Sequence, residues 1–370
     1  MSYKSPYDRI KILQDGTALV WPFLGQKISM VKRDLLLDNN AMIRSNWYDA
    51  LPDEMKNTCQ LCVFQAMEEQ WVSNPAFSED PCKRIEQMTT PFLDKGAQIA
   101  EDLLRLPEQL KSTDTMVRKS WMTSYLYAVL LYRIHNARRN DNKPKQLLET
   151  LKYKQVPRFG GLVILCTIAA YLKDNQNVKM KGDIKKTYSY VQDFTSAKLK
   201  KKKEQDGDVA YLRNRAGDFC LWLLPLKLHA KADYERRAIA DASKVPFETL
   251  ALDTSFLKAL TVTNDKALHS FIMRCIPFEL KNNFKLEPVF DGSHFAPQDA
   301  KNINDLIKAN TDWQQYKNQQ VTVNLKDQYA AQKELFAHVT DGADNYLVSE
   351  ATKVWNDWLK PGFTSAFNAD

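Results

Sequence analysis

Residues 157–191 read PRFGGLVILCTIAAYLKDNQNVKMKGDIKKTYSYV, an apolar run followed by a basic one. Pro157 and the pair Gly160-Gly161 interrupt any preceding helix, and an apolar stretch of eleven residues follows them. A membrane span needs about 20 residues, so a stretch of this length predicts a buried helix. The chain turns basic directly afterwards. The pattern favours a rigid helix that delivers lysines to the surface; the alternative is a core helix followed by a solvated basic loop.

Basic residues are concentrated in the middle of the chain. Residues 131–203 hold eighteen Lys and Arg against five Asp and Glu, which is a net charge of +13. The whole chain carries +7, so the remainder carries −6. Clustered Lys and Arg release counterions from a phosphate backbone when they bind it. This polarised distribution favours a protein that binds a polyanion.

Length and composition predict a mostly α-helical chain with two domains. A chain of 370 residues can bury two moderate cores. It has 11 glycines, well below the usual share of about 7%. Pro225 is predicted to end or kink a helix near the seam between the domains. Helical periodicity predicts helices over residues 28–37, 45–51, 53–71, 91–106, 112–139, 299–318 and 344–360.

The six cysteines are widely spaced, which favours buried thiols in a reducing compartment over disulfides. Cys59 and Cys62 form a C-x-x-C pair close to Cys82, a pattern that zinc and redox sites share. No second pair accompanies them, so packing on one face of a helix is the preferred interpretation. We therefore expect no metal and no cofactor.

Motifs of common enzymes are absent from the sequence. It contains no glycine-rich phosphate loop, no nucleophile elbow and no H-E-x-x-H. We expect no enzymatic activity. The start of the sequence lacks a secretory signal, and no apolar stretch reaches the length of a membrane span, so an intracellular protein without membrane association is expected.

Further basic runs follow the central stretch. The run at 200–203 is compatible with a nuclear localisation signal, a disordered phosphate-binding loop or a solvated face. Arg213 and Arg215 come next, and Arg236-Arg237 is a second basic doublet after Lys185-Lys186. If two lobes face each other, the two doublets could line one groove; the alternative is that each belongs to an outer surface.

The order of features in the centre resembles the nucleoproteins of non-segmented negative-strand RNA viruses, most closely the pneumovirus type. These features are a charged helix, a proline, a small-residue pair, a buried V-I-L-C-x-I-A-A run, a lysine, and then Gly-Asp with a basic doublet. The positions that carry the resemblance are Gly160 to Ala170, Lys173, Gly182-Asp183 and Lys185-Lys186.

The resemblance implies two helical lobes with an RNA groove between them and with N- and C-terminal exchange arms. The predicted boundaries are an arm at 1–28, lobes at 29–230 and 231–342, and a C-terminal helix and arm at 343–370. An arm that packs on its own domain is the alternative for the N-terminal segment.

The implied function is to oligomerise on single-stranded genomic RNA and encapsidate it through phosphate contacts that read no sequence. The implied partners are RNA, further copies of the chain in a ring or helical filament, a viral phosphoprotein and a polymerase. The implied location is the virion nucleocapsid and the host cytoplasm, with the nucleus as an alternative. A capsid or coat protein of another RNA virus, or a nucleic-acid enzyme with a dispersed site, is the alternative function.

The candidate site residues follow from the basic segments and from the aromatic ends. Tyr153, Tyr188 and Tyr190 are candidates for stacking on bases, because stacking tolerates any base. The predicted RNA-binding residues are Lys152, Lys154, Arg158, Lys173, Lys179, Lys181, Lys185, Lys186, Arg213, Arg215, Arg236 and Arg237. The predicted oligomerisation residues are Tyr7, Trp21, Phe23, Trp355, Trp358, Phe363 and Phe367.

Overall fold

The structure of the chain is a computed structural model that describes residues 9–24, 33–138, 141–154, 156–157, 159–195, 209, 211–282, 284–311 and 325–359. These residues are mostly helical, as the composition predicts. The strands are β1 (Ile10–Ile12), β2 (Ala18–Val20), β3 (Arg33–Leu37), β4 (Cys59–Cys62), β5 (Leu260–Thr263), β6 (Phe278–Leu280) and β7 (Leu286–Pro288). The helices are α1 (Asn39–Ile43), α2 (Asn46–Asp49), α3 (Asp53–Thr58), α4 (Phe64–Ser73), α5 (Pro75–Glu79), α6 (Pro81–Leu93), α7 (Leu106–Asn136), α8 (Lys143–Thr150), α9 (Gly160–Asp174), α10 (Tyr188–Thr195), α11 (Leu212–Trp222), α12 (Leu224–Ser243), α13 (Met273–Cys275), α14 (Pro297–Thr311), α15 (Leu325–Thr340) and α16 (Asn345–Val354).

The chain divides into two compact units, and each is assembled from separate segments. Unit 1 consists of Met1–Leu110, Leu221–His269 and Ile276–Val289, and unit 2 of Lys111–Cys220, Ser270–Cys275 and Phe290–Asp370. These segments do not follow the continuous lobes proposed from the sequence.

Pro225 separates two helices, as predicted. Helix α11 ends at Trp222 and α12 begins at Leu224, which places Pro225 in the first turn of α12. The N–H that proline lacks would have no helical partner at that position, so the residue fits there at little cost.

Unit 1 contains a five-stranded sheet in the order β1-β2-β5-β3-β4. Strands β1, β2 and β5 pair antiparallel, whereas β3 pairs parallel with both β5 and β4. The predicted helix over 28–37 is wrong, because Arg33–Leu37 is a strand inside this sheet. A short apolar run that is buried on both faces has the same pattern in a strand as in a buried helix.

The C-x-x-C pair also lies on a strand. The predicted helix over 53–71 is divided by β4, which pairs with β3 and separates α3 from α4. Residues three apart in a strand point to opposite faces, so Cys59 and Cys62 do not share a face. The predicted packing of this pair on a helix face is therefore wrong.

The predicted helix over 91–106 is wrong as well. Helix α6 begins earlier, at Pro81, and ends at Leu93. Gly96 follows with a φ of +77°, a conformation that favours glycine. The next helix, α7, starts only at Leu106.

Unit 2 is built around α7 and α9. Nearly every residue of α9 between Gly161 and Leu172 is buried, which confirms the predicted buried helix. Helix α9 packs on α14, where the Tyr171 hydroxyl donates to the Asp299 carboxylate at 2.7 Å. The predicted helix over 299–318 is present up to Thr311, and residues 312–318 lie outside the described part. Within the described ranges, no helix combines the length and the hydropathy that a bilayer crossing requires.

Candidate nucleic-acid interface

The connection between α9 and α10, residues 175–187, carries four of the predicted RNA-binding lysines. The side chain of Met180 is buried, and its sulfur lies 3.4 Å from the Cys275 sulfur. The Thr187 N–H donates to the Val178 carbonyl at 2.9 Å, which joins the two ends of the connection. These contacts fix the base of the connection against the core of unit 2.

A buried ion pair holds the middle of the connection. The guanidinium of Arg274 lies 3.1 Å from the Asp183 carboxylate, and it donates a further hydrogen bond to the Lys181 carbonyl at 3.2 Å. The Lys181 N–H in turn donates to the His294 carbonyl at 2.7 Å. Ile184 is 94% exposed, so this part of the connection faces solvent. Charge-assisted bonds of this kind set geometry more tightly than neutral ones.

Two lysines of the connection have no carboxylate partner among the described residues. Lys179 is exposed and has no partner there. Lys186 is exposed as well, and its ammonium donates to the neutral Asn177 side-chain oxygen at 2.8 Å. Both side chains therefore present an unneutralised positive charge to solvent.

The other two lysines of the connection are engaged with the protein. The Lys181 ammonium donates to the Ser293 carbonyl at 2.9 Å. The Lys185 ammonium lies 2.5 Å from the Asp193 carboxylate and 4.6 Å from the centre of the Tyr190 ring. An ion pair this open to solvent contributes only about 0–1 kcal/mol, so a phosphate could replace Asp193 at low cost.

Lys173, at the end of α9, caps a neighbouring helix. Its ammonium donates to the carbonyls of Ile134, His135 and Ala137 at 2.8, 2.8 and 2.6 Å, at the C-terminal end of α7. An ammonium has three protons, and all three are used. Burial, and then the nearby charge of Lys145, lowers the pKa of Lys173. A phosphate would have to compete with these carbonyls for the side chain.

Lys152 contacts the C-terminal end of α14, and Lys154 contacts α15. The Lys152 ammonium donates to the Ala309 carbonyl at 3.0 Å, and the Lys154 ammonium lies 3.8 Å from the Glu334 carboxylate. Lys181 instead contacts Ser293, just before α14 begins. A helix of 15 residues is about 22 Å long, so Lys152 and Lys181 lie near opposite ends of α14 and do not belong to one cluster.

Arg213 and Arg215 form ion pairs inside unit 2. Arg213 contacts Glu350 at 3.0 Å and Asp357 at 3.3 Å, and thereby holds α11 against the segment that contains α16. Arg215 contacts Asp218 at 2.7 Å. Arg158 lies outside the described residues.

The second basic doublet lies in unit 1. Arg236 is buried, and its guanidinium lies 3.8 Å from the centre of the Phe247 ring; that of Arg237 lies 4.3 Å from the same ring. Both contact Asp233, at 3.5 and 3.1 Å. The doublets Lys185-Lys186 and Arg236-Arg237 thus belong to different units, and the groove between lobes stays a prediction.

Two of the three tyrosines proposed to stack on bases are core residues. Tyr188 is buried and shares a hydrogen bond of 2.9 Å with the His135 ring. Tyr190 is buried and stacks on Phe271, with ring centres 6.3 Å apart. The stacking prediction is wrong for these two rings in the described structure. Tyr153 is 59% exposed and remains a candidate.

The aromatic residues proposed for oligomerisation pack on their own unit where they are described. Trp21 and Phe23 are buried in unit 1. Trp358 is buried in unit 2, with its ring centre 5.8 Å from that of Trp121. The ring centre of Trp355 lies 5.3 Å from that of Phe336. Tyr7, Phe363 and Phe367 lie outside the described residues, and the assembly role of all seven stays a prediction.

No pattern in the sequence points to Arg274 as part of this site. Arg274 and Asp183 are separated by 91 positions, and no spacing or periodicity connects two such residues. Asp183 adjoins a glycine with a φ of +81°, which marks a turn but does not identify a partner.

No protein family, curated protein or solved structure matches the chain. The resemblance to viral nucleoproteins therefore rests on the sequence features alone.

Proposed function

We propose that the chain is a nucleoprotein that binds single-stranded RNA through its phosphates. The observation that carries the proposal is the fixed connection 175–187, on which Lys179 and Lys186 are exposed without a carboxylate partner among the described residues. The net charge of +13 over residues 131–203 supports it, because accumulated positive charge attracts a polyanion.

The fixed backbone of the connection favours binding for an entropic reason. Ordering a backbone residue costs roughly 1–2 kcal/mol, and a loop that is already ordered does not lose that freedom when RNA binds. Arg274 supplies this order through its ion pair with Asp183, and the buried side chain of Met180 anchors the connection in the core. Lysine ammonium groups contact phosphate oxygens without reading bases, so the binding is independent of sequence.

Lys185 is proposed as a third phosphate contact and Lys173 as a residue that supports the site. Lys185 exchanges its exposed partner Asp193 for a phosphate. Lys173 keeps the end of α9 joined to the end of α7, and so fixes the position from which the connection starts.

The proposal includes self-assembly on RNA, which comes from the resemblance. Further copies of the chain would follow the strand as a ring or filament, with the chain ends as the connectors. A viral phosphoprotein and polymerase are the proposed partners, and the virion nucleocapsid and the host cytoplasm are the proposed locations. RNA in such an assembly is protected from nuclease in a fixed length per subunit, whereas RNA inside a shell is not.

The salt dependence of RNA binding tests the interface. In the full chain, Lys179 and Lys186 are both replaced by Ala, and binding of a labelled RNA of mixed sequence is followed by fluorescence anisotropy over a range of salt concentrations. Each lost phosphate contact lowers the slope of log K against log[salt] by about 0.7 for a single strand, so the double variant is expected to lose about 1.4.

A matched variant separates local contacts from overall charge. Lys333 and Lys353 are exposed lysines of unit 2, and their replacement by Ala removes the same net charge. We expect this control to keep the original slope. Equal slopes in both double variants and in the original chain would remove the connection from the interface. Purified protein free of RNA, judged from the ratio of absorbance at 260 and 280 nm, would count against the nucleoprotein itself.

A further inference from the structure

One face of the sheet in unit 1 forms the wall of a cavity of about 140 Å³. Alternate residues of a strand share a face, and the register of the strands places residues from all five on this one. These residues are Arg9, Lys11, Leu19, Trp21, Arg33, Cys59 and Leu260. Pro52, Glu54, Met55 and Thr58, from α3 and the residue before it, complete the described lining.

Arg33 lines this cavity with a buried and unpaired guanidinium. The residue is 4% exposed, and its Nη2 has no hydrogen-bond partner among the described residues. The guanidinium lies over the ring of Trp21, 4.6 Å from the ring centre. Burial lowers the pKa of Arg33. A buried charge without a partner is costly, so this arrangement would be stabilised by an anion.

The charged side chains that line the cavity are mostly cationic. Among the described lining residues, Arg9, Lys11 and Arg33 stand against one acid, Glu54, which gives a charge of +2. The rest of the lining includes Leu19, Met55 and Leu260, so the wall is apolar around a small number of cationic donors.

We propose that this cavity binds a small organic monocarboxylate. The carboxylate accepts hydrogen bonds from the Arg33 guanidinium, and an apolar body of the ligand packs against Leu19, Met55 and Leu260. A cavity of about 150 Å³ holds one benzene molecule, so the ligand is about the size of a single ring. An apolar wall favours such an acid over inorganic phosphate, because phosphate would bury charged oxygens against carbon.

Binding of benzoate to the full chain tests the proposal, with benzamide as the neutral molecule of the same shape. Isothermal titration calorimetry is expected to show benzoate binding and at least tenfold weaker binding of benzamide. Replacing Arg33 by Met should lower the affinity for benzoate by roughly ten- to a hundredfold, the usual effect of losing a charge-assisted hydrogen bond. The same substitution should raise the melting temperature of the ligand-free protein, because it removes an unpaired buried charge.

A matched variant and the comparison of the two ligands complete the test. Arg44 is an exposed arginine of unit 1, and Arg44→Met is expected to leave benzoate binding and melting temperature unchanged. The comparison of benzoate with benzamide uses the unaltered chain, so it tests the proposal even if the Arg33 variant fails to fold. Equal affinities for benzoate and benzamide, unchanged benzoate affinity after Arg33→Met, or no benzoate binding at about 10 mM would each overturn the proposal.

Discussion

Lys173 illustrates how a charged side chain can serve structure more than binding. Its three ammonium protons are donated to carbonyls at the end of α7. The last carbonyls of a helix have no partner within the helix, and a cation there also interacts favourably with the helix dipole. Lys179 lies six positions further along the chain and has no such engagement among the described residues. Two lysines of the same basic segment therefore have different roles.

Replacing Lys173 by Met is expected to lower the free energy of unfolding by about 2–3 kcal/mol. The reason is that the partly buried carbonyls at the end of α7 lose their charged hydrogen-bond donor. Urea denaturation measures this change. The matched variant Lys179→Met should stay within about 0.5 kcal/mol of the original protein. Similar small effects in the two variants would show that the cap contributes little.

Strands β1 and β2 give the segment before Leu24 a structural role within unit 1. They form the hairpin at one side of the sheet, and β2 pairs with β5 through Ala18–Val20. Trp21 and Phe23 follow directly and are buried in the same unit. The segment is predicted to be either an exchange arm or a segment packed on its own domain. Its described residues pack on their own domain. A contribution of this segment to assembly would come from an exchange of the whole hairpin or from residues outside the described part, which here are 1–8 and 25–28.

Deletion of residues 1–28 is therefore expected to destabilise the protein as well as to affect assembly. It removes two of five strands and leaves the edge of β5 unpaired, and such an edge promotes aggregation. Deletion of residues 1–8 keeps both strands. We expect the shorter deletion to melt cooperatively at nearly the original temperature and the longer one to be largely insoluble. If the longer deletion yields a soluble protein with the original melting temperature, the hairpin is dispensable for the fold.

At the level of the whole chain, neither unit is a continuous piece of sequence. Strand β5 lies between β2 and β3 in the sheet, yet it follows them by more than 200 positions. The pairing of Thr261 with Val20 and with Leu36 depends on that return of the chain. Forming such contacts requires the closure of a long loop, which costs entropy that the completed core must offset.

The fragment of residues 29–230, which corresponds to the proposed first lobe, is expected not to fold by itself. It lacks β1, β2 and β5, and β3 keeps only β4 as a neighbour. Thermal unfolding followed by circular dichroism should show no cooperative transition for the fragment and a cooperative one for the full chain. A cooperative transition of the fragment would show that residues 29–230 form an autonomous domain.

The amino-acid sequence by itself determined the mostly helical class, the burial of α9, the interruption at Pro225 and the basic centre. Each of these depends on composition or on residues that are neighbours in the chain. The tertiary structure decided that β3 and β4 are strands, that Lys173 caps α7 while Lys179 stays exposed, and that Arg33 is buried beside Trp21. The physical reason is that pairing strands, hydrogen-bond acceptors and buried charges acquire their partners from distant segments, which local periodicity does not specify.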